Sequence, residues 1–182
     1  MQEFELLSLS HFLGFCICLA AIVFIPKLIQ AKPGLENFSK YLLIFLLVEN
    51  QIRSTYVETL IKGGNLLENL PLHLCDFSAI VIAVFLLTGF RPLFIFAYFW
   101  GIAGAGMSIL TPDSEFAFPH YEYFATMYGH SLILLAVVFS IVNLGQRPYL
   151  KDIPKLIFYS SILLAIMYGI NYILGSNYWY LN

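Results

Sequence analysis

Six stretches of this chain are each long and oily enough to cross a lipid bilayer, at roughly residues 9 to 29, 41 to 61, 71 to 90, 93 to 111, 122 to 143 and 155 to 174. About 20 residues rising 1.5 Å each span the hydrocarbon core, and there every backbone amide must be satisfied within its own helix. The pattern predicts an all-α polytopic bundle of six transmembrane helices, a single domain over residues 1–182. Only 11% of the residues are charged, less than half the usual share of about 25% in a soluble domain. The short connections leave no room for a soluble domain, a nucleic-acid surface or a nucleotide-binding loop. The chain begins with Glu3 and Glu5 rather than with a cation, so the first helix is expected to be retained rather than cleaved as a signal peptide.

Loop charge predicts the orientation, because Lys and Arg are held on the cytoplasmic side. Lys27, Lys32 and Lys40 flank the first connection, Arg91 lies in the third, and Arg147, Lys151 and Lys155 occupy the fifth, leaving only Arg53 and Lys62 for the other side. Both termini are therefore expected outside. "TPDSEFAFPHYEY" and the tail "GSNYWYLN" have no Lys or Arg, and Tyr121, Tyr123, Tyr178, Trp179 and Tyr180 read as an aromatic belt at the outer interface.

On that topology the costly groups gather in the outer half. They are His11, Asn50, His73, Cys75, Asp76, Asp113, His120 and His130, with Asn171 near the outer end of the last helix. An ionisable side chain at a helix centre costs at least ~2.5 kcal/mol for Asp, Lys or Arg, which makes it a functional-site candidate facing the bundle interior. Convergence of several such groups at one depth predicts a shared polar cavity. Glu49 and Arg53, spaced i, i+4, are expected to neutralise each other. Ala97, Gly101 and Ala105 form a ridge of small residues that lets another helix approach closely. Cys16 and Cys18 read as small apolar core residues.

The stretch "LPLHLCDFS", residues 70 to 78, is the densest cluster of reactive groups. Pro71 suits a first helical turn, which places Cys75 where the positive end of the helix dipole favours the thiolate. A thiolate attacks carbonyls. His73, about 200° around an ideal helix from Cys75, is poorly placed to serve as its base, so His130 is the candidate, with His120 behind it. Asp76 is expected to orient a histidine or face the cavity, and Asn50 to help hold a developing oxyanion. The residues alone leave three readings open: a Cys/His nucleophilic pair, a polar binding cavity without chemistry, and a zinc site from His73, Cys75, His120 and His130, whose spacing matches no compact metal motif.

"LPLHLCDFS", "FAYFWGIAGAGMSILTPD", "FPHYEYFATMYGHSLIL" and "INYILGSNYWYLN" together resemble the YwaF-like family of bacterial integral membrane proteins. That family is similar to a eukaryotic cysteine-dependent phospholipid acyltransferase of the TMEM type and, more distantly, to the androgen-induced hydrolases of fatty acid esters. The resemblance implies a multi-pass protein of the bacterial cytoplasmic membrane that transfers or hydrolyses an acyl group of a glycerolipid, with Cys75 as nucleophile and His130 as its histidine. It implies no cofactor and no metal, a membrane lipid as acyl donor, a lysolipid or water as acceptor, and no nucleic-acid partner. Family members generally continue past this region with another hydrophobic helix, whereas this sequence stops at Asn182; the resemblance leaves open a naturally short chain or a seventh helix outside it. The alternative from another class is a non-enzymatic transporter or small-ligand-binding protein using the same polar cluster.

Overall fold

The computed structural model describes residues 3–181, and these are helical with no strand among them beyond an isolated bridge between Glu3 and Phe116. Helix α1 (Leu9–Gln30) begins where Ser8 Oγ accepts the His11 amide. Helix α2 (Glu36–Tyr56) widens at its end into a π turn, Val57–Ile61. After a long loop comes α3 (Leu74–Thr88), and Gly89, at φ 70°, reverses the chain at its end. Pro92 lies in the first turn of α4 (Arg91–Trp100), where a missing N–H costs nothing. A second π turn, Gly101–Ala105, carries α4 into α5 (Gly106–Leu110). The last two helices are α6 (Tyr121–Val142) and α7 (Ile153–Leu174).

Four rods are long and apolar enough to cross a membrane: Leu9–Gln30, Arg91–Leu110, Tyr121–Val142 and Leu150–Leu174. The other two expected spans differ for identifiable reasons. Helix α2 carries Glu36, Lys40, Glu49 and Arg53, and α3 has fifteen residues instead of the expected twenty. Three of the five missing residues are at the start of α3 and two at its end, where Gly89 turns the chain. The Asp76 carboxylate accepts the His73 amide at 2.9 Å, which makes His73 the N-cap and leaves Pro71 outside the helix.

Helix α6 is central and packs on α1, α2, α3, α4 and α5. Leu47, Ile82, Phe85, Phe94, Ala136, Val137 and Phe139 fill the space between α2, α3, α4 and α6. A smaller cluster of Ile22, Ile109, Tyr123 and Met127 seats α1 and α5 on α6. The small-residue ridge does what its spacing predicts. Ala97 and Ala105 are fully buried, and a Cβ at Gly101 would stand 3.1 Å from Ile133 Cγ2 on α6. Helix α7 is peripheral, tied to α4 by Trp100 Nε1 donating to Ser160 Oγ and by the Phe96 and Tyr159 rings.

Polar bonds cluster at the two ends of the bundle. At one end Asn143 Nδ2 donates to Pro26 O, Gln30 Nε2 to Val142 O, and Arg91 pairs with Asp152 at 2.7 Å. The opposite end gathers the end of α2, the start of α3, the end of α5, the start of α6 and the chain after α7.

Candidate functional site

A cavity of about 410 Å³ opens at that opposite end, between α2, α3, α6 and the segment after α5. Asn50, Cys75, Asp76, Asp113 and His130 all line it, so five of the residues read from the sequence share one space. Both π turns border this site, as such bulges often do. Val57 and Glu58 of the first face the cavity, and Gly104 of the second lies against Cys75.

Cys75 is the second residue of α3, in the turn where the helix dipole is felt. A Cβ at Gly104 would lie 3.3 Å from its sulfur, so the glycine leaves the thiol its room. Ser108 lies close to the Cys75 side chain, and its hydroxyl donates to Gly104 O at 3.0 Å. The sequence reading missed Gly104 and Ser108. The π turn inserts an extra residue between Ala97 and Ser108, so an ideal helical projection puts Ser108 on the wrong face. A serine four residues after a glycine, just before Thr111 and Pro112, was the available signal.

His130 sits one residue beyond Gly129 on α6, and its Nδ1 lies 2.7 Å from Thr126 O. A carbonyl only accepts, so Nδ1 carries the proton, and the neutral ring has its lone pair on Nε2. The backbone thereby fixes the tautomer that a proton acceptor needs. Gly129 lets α2 come close: a Cβ there would stand 2.9 Å from Asn50 Nδ2. Asp76 combines two placements, with its Oδ2 capping α3 and its side chain on the cavity wall, while its backbone carbonyl accepts Gln51 Nε2 at 3.3 Å.

The rim is charged. Arg53 meets Glu49 at 3.3 Å, as their spacing predicts, and also donates to Asn50 Oδ1 and to the Tyr121 hydroxyl across the mouth. Lys62 bridges Glu58 at 3.0 Å and Glu122 at 2.6 Å, a second tie from α2 to α6. The hydrogen bond to Glu122 holds the Lys62 ammonium pKa above its ordinary value of 10.5, against the opposing effect of partial burial.

Three histidines lie outside this cavity. His73 turns the other way, its ring edge-on to Tyr178 at 4.9 Å, beside a separate hollow with Glu68. His11 is buried and pins α1 to its neighbours, Nδ1 being 3.3 Å from the Tyr123 hydroxyl and Nε2 3.1 Å from Leu110 O. His120 caps α6, accepting the Glu122 amide, with its ring on Phe116. The zinc set of His73, Cys75, His120 and His130 is thus not assembled. Among the described residues no three His, Cys, Asp or Glu side chains are grouped to hold a metal ion.

The aromatic belt needs correcting. Tyr121 and Tyr180 are exposed as an interfacial anchor would be, but Tyr123 and Tyr178 are 3% and 1% exposed. Both are buried because their hydroxyls have partners. The Tyr178 hydroxyl accepts the Leu70 amide at 3.0 Å and donates to Leu67 O at 2.8 Å, and Trp179 Nε1 donates to Leu72 O at 2.7 Å. Asn171, fully buried near the end of α7, donates to Tyr178 O and accepts the Tyr178 amide. The chain after α7 therefore clasps residues 67–72, the segment that leads into Cys75.

Comparison with known proteins adds a family and a relative. The sequence model of the TMEM164 family matches residues 4–182, nearly the whole chain. An uncharacterized protein of Treponema pallidum (strain Nichols) is 30% identical over 125 residues, covering 68% of this chain and 52% of that protein, so the match spans about half the length of this relative. No solved structure matches.

Proposed function

The chain belongs to the TMEM164 family, and we propose that it is a membrane enzyme that moves an acyl group out of a glycerolipid ester through a thioester on Cys75. In this reading all six helical rods cross a bacterial cytoplasmic membrane with both termini outside, and the cavity opens in the outer leaflet. The distribution of basic residues supports that orientation, since seven of the nine cluster toward the end of the bundle remote from the cavity. The sequence resemblance to the YwaF-like proteins and to cysteine-dependent phospholipid acyltransferases supports the chemistry.

One observation carries the proposal. Cys75 and His130 line a single cavity, and Thr126 O holds the His130 ring with its free lone pair on Nε2. His130 Nε2 takes the thiol proton as sulfur forms a bond to the ester carbonyl carbon and the carbonyl π pair moves to oxygen. Collapse re-forms the C=O bond, breaks the ester C–O bond, and returns the proton from His130 to the leaving alkoxide, which departs as a lysolipid. A lysolipid hydroxyl or water then attacks the thioester. Its proton passes to His130 and on to sulfur as the C–S bond breaks. The substrate is already in the bilayer, which explains a reactive site among helices whose outer faces are apolar.

The test is acyl exchange in vesicles that contain phospholipid with an isotope-labelled acyl chain and unlabelled lysolipid. Wild-type protein should move label to the acceptor or release it as free fatty acid, and Cys75→Ala and His130→Gln should each lose at least about 100-fold. Full activity in Cys75→Ala would rule out the thioester, and only the absence of exchange and release by the wild type would leave the cluster as a binding cavity.

A further inference from the structure

A thiolate attacking an ester generates an oxyanion, and the proposed reaction needs a donor fixed where that charge develops. Asn50 is positioned for this by contacts that settle which way its amide points. Arg53 Nη2 donates to Asn50 Oδ1, and a guanidinium has no acceptor. The amide oxygen must therefore face Arg53, which turns the N–H2 group away from it. Arg53 itself is held from two sides by Glu49 and the Tyr121 hydroxyl, and its guanidinium lies over the Tyr121 and Tyr128 rings, 5.8 Å from each centroid.

The N–H2 end of Asn50 lies over Gly129, next to His130, where a Cβ would stand 2.9 Å from Nδ2. Asn50 is a lining residue of the cavity that holds Cys75, and among the described residues its Nδ2 has no hydrogen-bond acceptor. A donor whose carbonyl end is clamped, whose amino end meets a glycine backbone and which faces a cavity shared with a thiol and a histidine is preorganised for an anionic oxygen. Gln51, its neighbour, is spent on Asp76 O.

We propose that Asn50 Nδ2 donates to the carbonyl oxygen of the acyl group as Cys75 attacks, making Asn50 a catalytic residue, with Arg53 as the positioning residue that orients its amide and Gly129 as the seat that admits it. The inference rests on the thioester reading above and adds the group that stabilises its tetrahedral intermediate. It involves one hydrogen bond shortening toward the oxygen that gains the π pair, and no further bond is made or broken.

The experiment compares two reactions of the same sulfur in purified protein in lipid nanodiscs. Acylation by p-nitrophenyl decanoate passes through an oxyanion, whereas alkylation by iodoacetamide displaces iodide and has none. Asn50→Ala and Gly129→Ala should slow acylation about 100- to 1,000-fold, the usual cost of losing one such donor, while alkylation of Cys75 stays near the wild-type rate. Arg53→Met should slow acylation less than Asn50→Ala does, with Arg53→Lys recovering part of the loss and alkylation unchanged throughout. Equal acylation rates in wild type and Asn50→Ala overturn the inference but leave the thioester reading standing. Parallel loss of acylation and alkylation in all variants also overturns it, because the effect would then be on the thiol. Alkylation of wild-type Cys75 without any acylation overturns the thioester reading itself, and the inference with it.

Discussion

Removing the Tyr178 hydroxyl while keeping its ring should free the segment that leads into Cys75. In Tyr178→Phe the Leu70 amide, 3.0 Å from that hydroxyl, and Leu67 O, 2.8 Å from it, both lose their partner. An unsatisfied buried group costs about 1–3 kcal/mol. This segment borders the bundle's surface, so water recovers part of the loss, and a net cost of about 2 kcal/mol follows. At 1.4 kcal/mol per tenfold, the locally open population rises about 30-fold. The ring contact with His73 at 4.9 Å and the Asn171 bonds to the Tyr178 backbone remain, so the opening should be confined to residues 67–72. Hydrogen–deuterium exchange in nanodiscs, followed by peptide mass spectrometry, reads this directly. The Leu70 amide should exchange about 30-fold faster while peptides from α1 and α4 keep their rates. Unchanged exchange at Leu70 would show that the hydroxyl does not hold the segment, and a uniform rise across all helices would show that Tyr178 supports the whole bundle instead.

Other perturbations have equally definite outcomes. Gly104→Ala puts a Cβ 3.3 Å from Cys75 Sγ, so iodoacetamide should label Cys75 more slowly than in wild type while Gly106→Ala, whose Cβ would meet nothing within 4 Å, labels normally. Gly101→Leu drives a side chain into Ile133 and Val137 and should cost about 1–3 kcal/mol in denaturant titrations through overpacking. Arg91→Ala removes a surface pair with Asp152 and should lower the denaturation midpoint only slightly, by a difference that shrinks in high salt. Lys62 has its pKa raised in the fold by Glu122, so its stabilising tie is fully present below its ordinary value of 10.5 and is lost as pH rises through the higher folded value. The melting difference between wild type and Lys62→Met should therefore be flat from pH 8 to 10 and close only above that range.

The helical rods were legible because a bilayer imposes a length and a hydropathy on anything that crosses it, and five of the six expected segments lie within a few residues of a helix or its π extension. The start of α3 was misplaced because Pro71 carries a generic signal for a first turn, whereas the actual start is set by one side-chain bond from Asp76 to the His73 amide. Convergence on a polar cavity was legible from depth alone: Asn50, Cys75, Asp76, Asp113 and His130 do share it. Depth, however, says nothing about azimuth. His11, His73 and His120 occupy the same end of the bundle yet point to Tyr123, Tyr178 and Phe116. The supports of the site, Ser108 beneath the thiol, Thr126 O behind the imidazole and Gly129 beneath Asn50, depend on a π turn, a backbone carbonyl and a missing side chain. The last two leave no signature in residue chemistry, and the buried Tyr178 was hidden for a related reason, since an aromatic at a helix end reads as an interfacial anchor wherever its hydroxyl goes.

The central claim is that Cys75 carries the acyl group, and the most direct measurement is intact mass of wild type, Cys75→Ala and His130→Gln in phospholipid nanodiscs without lysolipid acceptor, quenched in acid. The account predicts a fatty-acyl mass increment on wild type that maps to Cys75, is removed by hydroxylamine, is absent from Cys75→Ala and is strongly reduced in His130→Gln. Lipid acyl transfer or release by Cys75→Ala at the wild-type rate would contradict it.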